Sequence, residues 1–212
     1  MTVNDPGEVH AGSGVSPVTA GIGWRNTRRR FGWVAMAFHW LMAVGILFTF
    51  GLGLYMHSLE VGVEQFELYQ LHKSLGVTIL LLAVLRLVWR LFNPVPPLPP
   101  GMAGWERGLA HFSHYGLYVL MLLVPVIGWC VVSVSPLGLP TFLYNQVEWP
   151  HIPFLTTIEN KEAAEAAFAE AHEVMAWILI FLFVLHLAGA LKHHFISKDD
   201  TLRRMLPTKL AE

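Results

Sequence analysis

The sequence predicts an all-α integral membrane protein, a four-helix bundle. Three observations carry that prediction. The 212 residues are 54% hydrophobic and only 14% charged, with mean hydropathy +0.50, whereas a soluble domain carries roughly a quarter charged residues. Four apolar runs are each long enough to cross a hydrocarbon core about 30 Å thick. Lysine and arginine alternate between the links joining them, as the positive-inside rule requires.

Residues 1–30 read as a disordered basic N-terminal tail. Up to about Gly23 it is rich in Gly, Ser, Thr, Val and Pro without periodicity, and it closes on Arg25, Arg28, Arg29 and Arg30. Thr27 to Phe31 also has the look of a twin-arginine export signal. The apolar run that follows, about 31–55, exceeds the 7–15 residues of a signal core and has no small-residue cleavage site, so a retained first span fits better. The second span is about 68–92. It stops at Asn93-Pro-Val-Pro-Pro-Leu-Pro-Pro100, which cannot continue a helix and reads as a stiff polyproline link. The third is about 105–134, and Pro125 and Gly128 predict a kink in it, which membranes tolerate. Residues 135–160 read as a long loop. The run from Lys161 to Glu170 has strong helix propensity and extends the fourth span, about 171–195, outward into water. Residues 31–195 are thus one transmembrane domain, and 196–212 a basic tail.

The segment before span one has four arginines, while the link from His57 to Glu67 has no lysine or arginine and three glutamates. Arg90 and Arg107 flank the proline link. The loop before span four has Lys161 against Glu148, Glu159, Glu162, Glu165 and Glu170, and the tail has Lys198, Arg203, Arg204 and Lys209. This pattern places both termini in the cytoplasm and acidic loops outside. Net charge −1 by itself says nothing about a nucleic-acid or acidic partner; no nucleic-acid partner is expected, and the bilayer is. Cys130 is the only cysteine, which excludes an internal disulfide and any all-cysteine metal site.

Eleven histidines stand against that one cysteine. His172 and His186 lie fourteen residues apart on the last span, close to four helical turns, so both rings face one way with a rise of about 21 Å. An ionisable side chain inside a bilayer marks function. Sorting by depth, His72 shares the outer level with His172, and His39 the inner level with His186. A bis-histidine haem takes one ligand from each of two facing helices, so the chain reads as a frame for two haems. At the inner level His111 or His114 competes with His39 for the iron opposite His186. A zinc or copper site would group its ligands at one level. Single membrane histidines also serve as hydrogen-bond partners between helices. Gly45, Gly76, Ala83 and Gly189 leave room for a flat macrocycle or for close helix packing.

Ala37-Phe-His-Trp40, Leu71-His-Lys-Ser-Leu-Gly76, Arg86-Leu-Val-Trp-Arg-Leu91 before Asn93-Pro, Gly108-Leu-Ala-His-Phe-Ser-His114, Leu123-Val-Pro-Val-Ile-Gly128, Ala171-His-Glu173, His186, His193-His194-Phe195 and Asp200-Thr-Leu-Arg-Arg-Met-Leu-Pro207 occur in this order. In that order they resemble the bacterial four-helix di-haem cytochrome b-561 family, from about Arg30 to Pro207. The resemblance implies two haem b groups, with His39 and His186 on the inner iron and His72 and His172 on the outer one. It leaves His111 and His114 as second-layer, propionate or quinone-site candidates. It also implies electron transfer between a periplasmic donor and quinone, superoxide and ubiquinone in one branch. Lys73, beside His72, either draws a small anion to the outer haem or snorkels to the interface. Arg86 and Arg90 either pair with inner-haem propionates or snorkel. Lys192, His193 and His194, with His111 and His114, are the candidates for supplying protons to a quinone at the inner end. A rival expectation is a membrane anchor subunit taking electrons from a periplasmic dehydrogenase or hydrogenase, with the 135–160 loop as docking surface. A rival of another class is a haem-free metal permease or scaffold.

Overall fold

The computed structural model describes residues 22–208. Its four long helices are α1 (Trp33–His57), α2 (Val63–Leu91), α3 (Gly104–Val134) and α4 (Lys161–Lys192). All four are long and apolar enough to cross a membrane, and the all-α four-span bundle is present. One boundary moves outward from the sequence estimates, and the expected helical extension of the fourth span is present. α2 starts at Val63 because Glu64 sits in its first turn, where a carboxylate offsets the helix dipole. α4 starts at Lys161, where the Asn160 side chain accepts the Ala163 N–H at 3.2 Å and caps the alanine- and glutamate-rich run. At 32 residues α4 is about 48 Å long, so its first turns stand clear of the hydrocarbon. It ends in a π-helical turn, His193–Ser197, and Lys198 in the left-handed region at φ 56°.

The helices run up and down. One end of the bundle gathers the start of α1, the end of α2, the start of α3 and the end of α4, together with both terminal segments; it is called the terminal end below. The other end carries a β-hairpin. Between the ends lies an apolar belt drawn from all four helices: Met42 and Ile46, Ile79 and Ala83, Leu120, Met121 and Val124, Leu179 and Leu182. Every one of these positions falls, along its helix, between the two histidine levels. The outward faces, including Val44, Phe48, Leu81, Leu85, Val119, Phe181 and Val184, are exposed and apolar, as helices facing lipid require.

The 135–160 loop is more ordered than its sequence implies. It holds β1 (Thr141–Leu143) and β2 (Val147–Trp149), paired antiparallel with Phe142 opposite Glu148. The turn has Tyr144 and Asn145 both at positive φ, 50° and 58°, and the Gln146 N–H donates to the Leu143 carbonyl at 2.9 Å. That is a type I′ turn, whose twist matches paired strands. α2 supplies a polar stripe that holds β1: Gln70 Nε2 donates to the Pro140 carbonyl at 3.1 Å. The Tyr144 N–H donates to Ser74 Oγ at 3.0 Å, and Thr78 Oγ1 meets the Tyr144 hydroxyl at 2.7 Å. Three residues at i, i+4 and i+8 share one helix face, so the stripe acts as a third partner for the hairpin edge.

Residues 22–30 correct the reading of 1–30 as disordered throughout; residues 1–21 lie outside the described residues, as do 209–212. Asn26 Nδ2 donates to the Pro94 carbonyl at 3.0 Å, and its Oδ1 accepts the Gly32 N–H at 3.0 Å. Arg30 Nη2 donates to the Leu206 carbonyl at 2.8 Å. Trp40 Nε1 donates to the Met205 carbonyl at 2.8 Å, and Arg204 Nη1 to the Pro97 carbonyl at 2.6 Å. Backbone carbonyls that cannot be satisfied within a proline link or a terminal turn find side-chain donors here. The result is a clasp joining the N-terminal segment, the proline link and the C-terminal turns. Low complexity ends before these residues, and the contacts that order them are long-range, so local sequence does not show them.

Gly32 is the clasp's tightest point: a Cβ there would stand 2.4 Å from the Arg25 carbonyl carbon and oxygen. Backbone cannot move aside as a flexible side chain can. Gly32→Ala should therefore cost on the order of 1–3 kcal/mol locally and release the clasp. Limited proteolysis should cut residues 24–31 several times faster in the variant, with the melting temperature of the helical bundle little changed.

Candidate functional site

Four histidines form two facing pairs at the two levels. The His39 and His186 ring centres are 6.0 Å apart, and those of His72 and His172 are 6.2 Å apart. α4 contributes one member to each pair, α1 and α2 the others. An imidazole nitrogen about 2 Å from a metal on either side places two ring centres about 6 Å apart, so both spacings suit one metal between the rings. His114 lies at 5.1 Å from His186 with its ring at 61°, an edge contact with less room between the rings. His111 is turned away to stack on Tyr115 and joins neither pair. Among the described residues, no group of three or more His, Cys, Asp or Glu converges as a metal cluster.

The hairpin-end pair sits in a cavity of about 1160 Å³. The belt residues Ile46, Ile79 and Met121 form its floor, and Phe50, Trp177 and Trp149 line its walls. His172 Nδ1 donates to the Val124 carbonyl at 2.9 Å. A carbonyl can only accept, so the proton is on Nδ1 and Nε2 keeps the lone pair a metal needs. His72 Nδ1 is buried. Gly53 and Gly128 border the two rings: a Cβ on either would stand 3.2 Å from His72 Cε1 or 3.0 Å from His172 Cε1. The donor set, the spacing and the cavity fit a haem held by two histidines.

Lys73 lines the same cavity and is the one lysine or arginine among its lining residues; Glu162, Glu165, Glu170 and Glu173 face it from α4. At the terminal level Arg86 Nη2 meets His39 Nδ1 at 3.2 Å, and its Nε donates to the Tyr118 hydroxyl at 3.2 Å. Arg86 and Arg90 both stand over the Tyr118 ring, at 5.5 and 5.1 Å. The structure thus brings Arg86 to the terminal-level pair and places Arg90 one turn further out. Sequence reading did not single out Tyr118 or Gly53, and it took Gly128 for a kink residue.

A comparison with known families adds what geometry alone does not give. The model of the prokaryotic cytochrome b561 family matches residues 30–208. The chain belongs to the prokaryotic cytochrome b561 family. It is therefore a haem-binding, electron-transport membrane protein, and its family binds haem b. It is 35% identical over 187 residues to Cytochrome b561 homolog 2 of Escherichia coli (strain K12), covering 87% of this chain and 95% of that one. It is 28% identical over 186 residues to Cytochrome b561 homolog 1 of the same strain, covering 85% and 98%. It is 27% identical over 186 residues to a protein named probable superoxide oxidase CybB in Yersinia pestis, again covering 85% and 98%.

The remaining candidates of this cytochrome b561 chain lie where α4 unwinds. Lys192 forms an ion pair with Glu106. His193 is buried and its Nδ1 meets Asp199 Oδ2 at 2.6 Å. His194 lines a small hollow with Phe195, Lys198, Asp199 and Arg203. Partial burial works to raise the Asp199 pKa, but the Thr201 hydroxyl and backbone N–H and the His193 ring face the carboxylate and hold it below the usual aspartate range. A depressed carboxylate stabilises the fold above its unfolded pKa of about 4, and that stability is lost as pH falls through the folded value. Protection factors of residues 199–206 against hydrogen exchange should be high at pH 7 and fall below about pH 4. Asp199→Asn should remove most of that pH dependence.

Proposed function

We propose that this chain carries electrons across the bilayer through two haem b groups, from superoxide on the periplasmic side to ubiquinone. The observation that carries the reading is the pair of histidine pairs: both spacings suit one iron, and α4 sets the two levels about 21 Å apart. His72 and His172 hold the hairpin-end group, and His39 and His186 the terminal-end group. When bound, haem would supply reversible one-electron storage, and a histidine pair holding each iron would leave no open position for oxygen. The basic links support a cytoplasmic terminal end, and the family supports a bacterial inner membrane. The hairpin end then faces the periplasm.

The residues around each pair fit those roles. Lys73 offers positive charge inside a cavity whose α4 wall carries four carboxylates, so a small anion entering it is drawn toward His72. Trp177 and Phe50, with ring centres 5.0 Å apart, exclude water from the cavity wall. Arg86 and Arg90 hold two positive charges beside the terminal-level pair, suited to propionates. His114 touches the same pair. His193 and His194, at the far end of α4, are placed to give protons to a quinone reduced nearby. The balance is simple: two superoxide anions each give up one electron and leave as dioxygen. One ubiquinone takes both electrons and two protons and leaves as ubiquinol.

Anaerobic mixing of the purified protein with superoxide tests this. The b-type absorption should rise on mixing and fall again once ubiquinone is added. Protein that is reduced by dithionite but never by superoxide would instead favour an anchor subunit fed by a periplasmic dehydrogenase or hydrogenase. Lys73→Gln should lower the second-order rate constant for superoxide several-fold and flatten its dependence on ionic strength. An unchanged rate constant would leave Lys73 as a snorkelling lysine.

A further inference from the structure

We infer that the two hairpin-end histidines are positioned by matching backbone seats, each made of a carbonyl and a glycine four residues further along the same helix. The inference rests on the ligand assignment above and adds the residues that orient those ligands. On α3 the seat is Val124 and Gly128. On α1 it is Thr49 and Gly53.

The α3 seat is complete. His172 Nδ1 reaches the Val124 carbonyl at 2.9 Å, although in a helix that carbonyl already accepts the N–H of residue 128. A carbonyl oxygen has two lone pairs, so a second donor can join if it can approach. The residue four positions on lies over the same face, and its Cβ would stand in the way. At Gly128 that Cβ would be 3.0 Å from His172 Cε1 and 3.2 Å from Nδ1. The glycine is therefore what lets the imidazole lie against α3 and reach the carbonyl.

The α1 seat has the same spacing without the hydrogen bond. The His72 ring stands against Gly53, and its Nδ1 is buried with no hydrogen-bond partner among the described residues; the Thr49 carbonyl, one turn before Gly53, is the acceptor this seat would supply. Gly53 follows Thr49 by four, and a Cβ there would lie 3.2 Å from His72 Cε1 and 3.6 Å from Nδ1. Two different helices thus present the same carbonyl-and-glycine spacing to two histidines that face one another. The terminal-level pair has nothing of the kind. A Cβ on Gly45 would meet only Ile79, one on Gly116 only Leu182, and one on Gly189 nothing within 4 Å; His39 meets the Arg86 side chain instead.

Each seat would do two things. At His172, donation from Nδ1 to the Val124 carbonyl keeps the proton there and leaves Nε2 free for iron; the Thr49 carbonyl would do the same for His72 once the ring reached it. Contact with a helix backbone, which moves less than side chains, fixes the ring plane. An added methyl at either glycine should push the ring by a few tenths of an ångström. The effect should be larger at Gly128, where the ring cannot yield without losing its hydrogen bond.

The test is the haem-to-protein ratio and the low-spin ferric electron paramagnetic resonance spectrum of purified Gly128→Ala and Gly53→Ala protein. His172→Ala identifies the signal of the hairpin-end group. Gly51→Ala, whose Cβ would meet nothing within 4 Å, is the control and should match the parent. Gly128→Ala should lose up to half the bound haem, together with the signal that His172→Ala abolishes. Gly53→Ala should keep more haem and shift that same signal. Full haem content with both signals unmoved in both glycine variants would overturn the inference. So would equal loss of both signals, because a local seat acts on one pair alone. If His172→Ala itself leaves both signals intact, the ligand assignment fails, and the seats fail with it.

Discussion

The structure depends on one interval on one helix. His172 and His186 are separated by close to a whole number of turns, so α4 presents both rings to the interior of the bundle at two depths. α1 and α2 each answer one of them. Between the two depths Met42, Ile46, Ile79, Ala83, Leu120, Met121, Val124, Leu179 and Leu182 close the bundle into an apolar belt. The belt holds the helices together and keeps water out of the space between the pairs. A slip of α4 by one turn would carry both rings away from their partners together, so packing of the belt and placement of the ligands are one constraint.

The two levels are built differently. At the hairpin end the histidines lie against helix backbone, glycine makes room for them, and a wide cavity opens between all four helices. At the terminal end the pair is attended by side chains: Arg86 on His39, Tyr118 under two guanidiniums, His114 against His186. Backbone seats favour fixed geometry, and charged side chains favour tuning of the local field. The proposed function assigns an anion to the wide mouth and a larger, proton-requiring acceptor to the basic end. The clasp of residues 24–31, the proline link and residues 203–206 closes that basic end.

Much of this was legible in the residues. Hydropathy and the alternation of charge predicted the four spans, and the fourteen-residue interval predicted the two levels. Facing pairs His72 with His172 and His39 with His186 are what the structure contains. Spacing alone left His39 and His114 both open opposite His186; the structure puts all three rings together, with only the His39 pair at a spacing that suits an intervening metal. What was not legible depends on contacts distant in sequence. The hairpin needs the Gln70, Ser74 and Thr78 stripe, which in sequence is only three polar residues in an apolar helix. The clasp needs carbonyls of residues 94, 97, 205 and 206. Gly53 and Gly128 look in sequence like loosened helix or a kink, and only the histidine rings beside them give them another purpose.

The most direct measurement is the haem content of the purified parent protein, by pyridine haemochromogen assay against quantitative amino-acid analysis, with a potentiometric titration of the same sample. The account predicts two b-type haems per chain, both low-spin and titrating as two one-electron steps, with each pair's histidine-to-alanine variant removing one step. A single haem per chain, or a titration that loses both steps when His72 alone is replaced, would contradict it.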